Sequence, residues 1–216
     1  MILSRRLTTT LALALLVAGC GGEAETGGEE METGGAALPP DIGNPTPRVV
    51  LETNVGRIVM ELDRESAPET VERIVSHVEN EFYDGLIFQR VRPGFMIQAG
   101  AYTPEGRMRQ SSSPPLPNES DNGLSNSRGT VAMARRDDPN SASTQFFINL
   151  VDNTYLDYQP QTAETPVRWG YTVFGRVVEG MDVVDSIAQV PTQRGPLSEA
   201  MPLEPIIIER AYVEGG

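Results

Sequence analysis

The chain has 216 residues, 30 of them acidic against 17 basic, for a formal net charge of −13. Such a surface is a poor partner for nucleic acid, and with no segment repeating another the length allows one well-packed domain and a remainder. The single histidine, His77, and the single cysteine, Cys20, leave no Ser-His or Cys-His pair and no His/Cys cluster for zinc, which sets hydrolase and metalloenzyme chemistry aside.

The remainder is at the front. Arg5 and Arg6 precede an apolar run from Leu11 to Ala18, followed by Gly19 and Cys20. That run rises roughly 12 Å as a helix against about 30 Å of hydrocarbon, so residues 1–19 read as a signal peptide rather than a span, and the protein is expected to be exported. The stretch Val17 to Cys20 (VAGC) is similar to the lipobox of bacterial lipoproteins. This resemblance implies that Cys20 is lipidated as the mature N-terminus, with several acyl chains anchoring the protein to a membrane of the cell envelope, facing the periplasm or the exterior. An ordinary signal peptide that ends in cysteine is the alternative. With Cys20 carrying lipid, no cysteine remains downstream for a disulfide, a thiol nucleophile or a thiolate metal site.

Residues 20–47 form the next unit, in which the run after Cys20 is rich in Gly, Glu and Pro and nearly free of large apolar side chains, the composition of a disordered acidic tether. For about 27 flexible residues the reach is on the order of 30 Å, enough to hold a domain clear of lipid headgroups. Every basic residue of the chain is arginine. An acidic, lysine-free composition suits a high-salt habitat, and biased codon usage would give the same lack of lysine.

From Arg48 to Gly216 the pattern is that of one domain. RVVLET, a turn at Asn54, Val55 and Gly56, and RIVMEL predict an opening hairpin. A helix comes next: Ser66 and Glu69 fit a capping box with Pro68 in the first turn, and Val71, Ile74, Val75 and Val78 recur at helical spacing. His77 lies about 110° from the centre of that stripe, which predicts a solvated or flanking side chain. After a turn at Asp84 and Gly85, strands are predicted at 86–91, 95–99, 129–134, 145–150, 171–178 and 205–213, with a second helix near 180–188. Many short strands with only two helices argue for a mainly β, closed antiparallel barrel rather than a βαβ sheet. Long loops at 103–127 and 158–170, the latter holding the lone Trp169, are of the kind that is functional or mobile.

Four ordered blocks carry more than strand pattern: Phe88 to Gly100 (FQRVRPGFMIQAG), Gly129 to Ala134 (GTVAMA), Asn140 to Leu150 (NSASTQFFINL) and Tyr171 to Ala188 (YTVFGRVVEGMDVVDSIA). Together they resemble the cyclophilin family of peptidyl-prolyl isomerases over nearly all of residues 48–216, and Tyr155, where many members have tryptophan, resembles the bacterial exported branch. The resemblance implies an eight-stranded barrel capped by two helices, activity on X-Pro bonds of proline-containing polypeptides, and no cofactor. Carried onto this sequence, the family motifs fall on Arg90, Phe95, Met96, Gln98, Ala134, Gln145, Phe147 and Leu156. Tyr155 puts cyclosporin affinity in doubt, and Tyr171 stands where many relatives have a groove histidine. Gln89 replaces a common histidine, and Ala99 with Ala101 replaces the usual G-G-D run, changes expected to alter loop geometry without removing catalysis.

The residues themselves suit such a reaction. Strand parity puts Met96 with Gln98, Gln145 with Phe147 and Phe88 with Arg90 on shared faces. Rotation about an X-Pro amide makes and breaks no covalent bond; its barrier of roughly 18–20 kcal/mol comes from amide resonance. Phe95, Met96 and Phe147 are expected to seat a proline ring, with Arg90 and Gln98 as the catalytic pair holding the flanking carbonyls. Ala134, Gln145, Tyr155, Leu156 and Tyr171 would complete the substrate-binding wall. Arg90 is the first choice of donor to the prolyl nitrogen, which gains a lone pair as the amide twists, and a guanidinium that stays charged predicts little pH dependence near neutrality. The competing readings are a proline-peptide-binding module or chaperone without turnover, and an inert surface scaffold. No long apolar stripe is left unused, which suits a monomer.

Overall fold

The computed structural model describes residues 44–215. The signal peptide, the lipidation site Cys20 and the tether up to residue 43 lie outside the described residues. Strands β1 (Arg48–Thr53) and β2 (Gly56–Leu62) form the predicted hairpin, pairing Val50 with Val59. Its turn is fixed by sequence: Gly56 takes a positive φ of 142°, and the Asn54 side chain ties the tip to the Ile207 amide at 2.9 Å and the Pro205 carbonyl at 3.0 Å.

Helix α1 (Pro68–Glu79) buries the predicted stripe of Val71, Ile74, Val75 and Val78. Two expectations about it are corrected. Its N-cap is Ala67 and the Ser66–Glu69 box does not form, because the Ser66 amide and hydroxyl are both taken by Asp63, at 2.9 and 2.8 Å. The free amides of Glu69 and Thr70 instead donate to the carboxylate of Glu119, at 3.0 and 2.9 Å, an anion at the positive end of the helix. His77 is buried, because Phe82 and Tyr83 fold back on the last turn, with the Phe82 ring 4.5 Å from the imidazole. A helical wheel is blind to chain that lies beyond the last turn of the helix.

Then come β3 (Phe88–Arg92), β4 (Met96–Ala99), β5 (Thr130–Met133), β6 (Phe146–Asn149), β7 (Val173–Glu179), α2 (Met181–Ile187) and, after a two-residue ladder of β8 (Thr192–Gln193) with β9 (Met201–Pro202), the final β10 (Ile208–Val213). Gly180 caps α2 in the left-handed region, at φ 85°, where any Cβ would collide with the Arg57 carbonyl. The eight long strands make one antiparallel sheet in the order β10-β1-β2-β7-β5-β6-β4-β3. It curls until its ends meet: Ile87 pairs with Ile207, and the Phe88 amide donates to the Ile206 carbonyl at 2.9 Å. The fold is therefore mainly β, an eight-stranded antiparallel barrel with two helices, as the strand pattern predicts. β8 and β9 are too short to leave a sequence signal.

Side-chain alternation sorts the strands into two apolar clusters. Ile97, Ala99, Val131, Met133, Phe146, Ile148 and Phe174 join the main core with the inner faces of α1 and α2. Their neighbours Met96, Ala132, Phe147 and Val173 point the other way and form a second, smaller cluster with Phe95, Leu124, Ala134, Leu156 and Tyr171. That outward cluster is the foundation of the site.

Candidate active site

Cross-strand register lines up one row over four strands: Arg90 opposite Gln98, Gln98 opposite Phe147, and Phe147 opposite Ala132. A β-bulge at Gln89 sets this row. The ladder passes from Phe88–Ala99 to Arg90–Gln98, leaving Gln89 as an extra residue. Phe88 consequently turns into the main core while Arg90 faces the outer cluster, which corrects the expectation that the two share a face.

Arg90, Phe95, Met96, Gln98, Ala134, Arg135, Phe147, Leu156 and Tyr171 line one hollow of about 190 Å³. Met96 and Phe147 form its dry floor at 1% and 4% exposure. The Tyr171 and Phe147 rings meet in a T-shaped contact with centres 5.7 Å apart, and the Arg90 guanidinium lies over Phe95 with its carbon 5.9 Å from the ring centre. Backbone contacts hold the rim: the Phe95 carbonyl accepts from the Leu150 amide and from the Asn153 side chain, both at 2.9 Å, and the Tyr171 amide donates to the Leu156 carbonyl at 3.0 Å.

A polar chain runs along one wall. Arg90 Nη1 stands 3.4 Å from Gln98 Oε1, Gln98 Nε2 donates to Gln145 Oε1 at 2.9 Å, and the Gln89 and Gln145 amides meet at 2.8 Å. Arginine can only donate, so it orients the Gln98 amide with oxygen towards the guanidinium and nitrogen towards Gln145. Glu199 closes the outer end: its Oε1 accepts from Arg90 Nε at 2.9 Å and Nη2 at 2.6 Å. A hydrogen bond from its own amide, and then those from Arg90, hold the Glu199 carboxyl below the usual carboxylate range.

The structure thus gathers eight of the predicted residues (Arg90, Phe95, Met96, Gln98, Ala134, Phe147, Leu156 and Tyr171) around one hollow. Gln145 sits behind the wall and lines a neighbouring cavity of about 200 Å³. Tyr155 is not in the lining; 59% exposed, it stacks on Phe95 from outside, ring centres 6.3 Å apart. Glu199 and Arg135 escape sequence reasoning, and Gln89 is read there only as a replacement for a histidine. Gln89 belongs to the amide chain, Glu199 holds Arg90, and Arg135 lies 4.6 Å over the Tyr171 ring, pinned by the carbonyls of Gly170 and Trp169 at 3.1 and 2.9 Å. Trp169 itself packs on Tyr158, ring centres 5.4 Å apart. Among the described residues no group of His, Cys, Asp and Glu could hold a metal ion.

Residues 48–213 match the family model described as Cyclophilin type peptidyl-prolyl cis-trans isomerase/CLD. The chain belongs to the cyclophilin family. It is 49% identical over 167 residues to peptidyl-prolyl cis-trans isomerase cyp18 of Streptomyces antibioticus, covering 77% of this chain and 98% of that one. Peptidyl-prolyl cis-trans isomerase B of Escherichia coli (strain K12) is 45% identical over 165 residues, with coverage of 76% and 98%. A crystal structure of a Cryptosporidium parvum cyclophilin type isomerase superposes with a TM-score of 0.64 over 79% of this chain and 99% of that one, at 21% identity, and supports the fold. The cyclophilin barrel accounts for the site's placement, since the hollow is built on the outer face of β4, β5 and β6, away from the core that stability requires.

Proposed function

We propose that this chain is an exported, lipid-anchored isomerase that accelerates rotation about X-Pro bonds of proteins folding outside the cytoplasm, with Arg90 and Gln98 as its catalytic residues. The observation that carries the catalytic part is the juxtaposition of the Arg90 guanidinium with a dry floor of Met96 and Phe147. A proline ring on that floor brings its imide nitrogen beside Arg90. As the amide twists, resonance is lost and the nitrogen gains a lone pair, which Nη1 binds better than it binds either planar isomer. Gln98 holds a flanking carbonyl. Each tenfold of acceleration needs about 1.4 kcal/mol of such differential binding, within reach of one charge-assisted hydrogen bond. None of the lining residues is a histidine, cysteine or carboxylate, so a flat rate from about pH 6 to pH 8 is expected.

The test is proline-limited refolding of a reporter protein with the full chain in detergent. Wild type should accelerate it; Arg90→Ala should lose about a hundredfold in kcat/KM while still binding a proline peptide. Equal rates would remove Arg90 from the mechanism and favour a binding module. Export and lipidation rest on Arg5, Arg6, the apolar run and the VAGC stretch. Mass spectrometry of membrane-extracted protein should find acyl groups on Cys20, and a soluble product cut elsewhere would refute the anchor.

A further inference from the structure

We propose that Glu199 is a positioning residue for isomerisation, gripping the Nε/Nη2 edge of Arg90 so that Nη1 is the group presented to the hollow. The inference rests on Arg90 being the donor proposed above. A guanidinium has three edges, and how it is held decides which N–H groups remain for substrate. Here a single carboxylate oxygen takes both Nε and Nη2, at 2.9 and 2.6 Å, while Nη1 has only a long 3.4 Å approach to Gln98 Oε1. Nη1 is therefore the nitrogen with hydrogen-bonding capacity to spare, and it is the one directed along the groove wall.

The bracket holding Glu199 is anchored on the strand it serves. Ser198 Oγ donates to the Gln89 carbonyl at 2.7 Å, and the Val91 amide donates to the Ala200 carbonyl at 2.9 Å. These bonds flank Glu199 on its own segment and Arg90 on β3, so carboxylate and guanidinium are set from both sides. Within the bracket the like charge of Arg92 comes close: its guanidinium carbon lies 5.4 Å from the Phe95 ring centre and its Nη1 is 3.9 Å from Glu199 Oε1. Without the carboxylate, the two cations beside the Phe95 ring would lose the anion between them, and Arg90, on a long flexible stem, would be free to swing into solvent. The Arg90 and Glu199 side chains are 27% and 44% exposed, which favours a positioning role over a contribution to stability.

The experiment compares Glu199→Ala and Glu199→Gln in wild-type and Arg90→Ala backgrounds of the full chain, with steady-state X-Pro peptide kinetics and a thermal melt on each variant. A misaimed donor that acts in the transition state lowers kcat and kcat/KM together. Glu199→Ala should cost about fivefold in kcat with KM and melting temperature nearly unchanged, as expected for an exposed ion pair. Glu199→Gln, whose amide oxygen can accept the same two bonds, should recover to within about twofold. In the Arg90→Ala background Glu199→Ala should add nothing. Unchanged activity, a gain in activity, or an equal loss in both backgrounds each overturns the positioning role. Wild-type rates in Arg90→Ala alone would refute the role of Arg90 and this inference with it, whereas an inactive Arg90→Ala beside an unaffected Glu199→Ala refutes Glu199 only.

Discussion

At the scale of single residues, the strongest consequence outside the groove belongs to His77. Its side chain is 7% exposed, Nε2 has no hydrogen-bond partner among the described residues, and burial, helped by nearby Arg73, lowers its pKa to about 4. An imidazole that must stay neutral when folded but can charge when unfolded costs stability as pH falls. The loss begins near the ordinary histidine value of about 6.5 and is complete near 4, and the unfolded state binds the extra proton throughout. Urea unfolding of wild type should therefore show a decline on the order of 2 kcal/mol across that window, and His77→Leu should remove most of it while leaving the acid sensitivity of the carboxylates. Parallel pH profiles for the two proteins would show that His77 does not carry the effect. Gln98 was legible in the sequence because it shares a strand face with the large apolar Met96, as Phe147 was expected to share one with Gln145, whereas Arg90 was legible only through the family motif, since the bulge at Gln89 parts it from Phe88. Glu199 was not, since it lies 109 positions from Arg90 and only chain closure brings the two together.

At the scale of elements, the sequence read correctly wherever periodicity is local. Val71, Ile74, Val75 and Val78 mark the buried face of α1, and Ile97 and Ile148 alternate with Met96 and Phe147 between core and groove. It failed where geometry is set by partners far along the chain. The bulge at Gln89, with no glycine to announce it, reverses the face of everything before Arg90. The cap of α1 comes from Glu119, roughly fifty positions away, on the 103–127 loop. The same loop is stitched down by Asn118 to Gly170 at 3.1 Å and by Asn122 to the Val173 carbonyl at 2.9 Å. Glu119→Ala leaves two helix amides without an acceptor and unlinks loop from helix. It should cost about 1 kcal/mol and lower the melting temperature by about 3 °C, with Glu119→Gln in between. A change within error for both would mean that water replaces the carboxylate at no cost.

At the scale of the whole molecule, residues 48–216 hold 24 acidic and 15 basic residues, −9 of the chain's formal −13, and that excess opposes folding by self-repulsion, while the surface ion pairs work in the other direction. Their balance can be argued from exposure. Arg57–Glu179 at 2.9 Å has side chains 43% and 54% exposed, Arg128–Asp185 at 2.8 Å has 46% and 48%, and Arg107–Glu105 at 3.3 Å has 78% and 62%. Pairs this open are worth about 0–1 kcal/mol each, and because salt screens them there is little for it to take away. Glu61 is the exception in kind: 20% exposed, it is shared by Arg176 and Arg48 at 2.9 and 3.2 Å, hydrogen bonds that lower its pKa, and so it keeps much of its value in salt. Long-range repulsion has no such protection, because the screening length shrinks from about 30 Å at 0.01 M to about 8 Å at 0.15 M. Repulsion should therefore fade faster than pairing, and the melting temperature should rise by a few degrees between 0.01 and 0.3 M sodium chloride, the opposite of a protein held together by its surface ion pairs. Calorimetry across that range decides it, with Glu61→Gln as the control: that variant should start lower and climb in parallel, whereas a fall with salt in the parent would place the weight on the ion pairs and make the acidic excess thermodynamically silent.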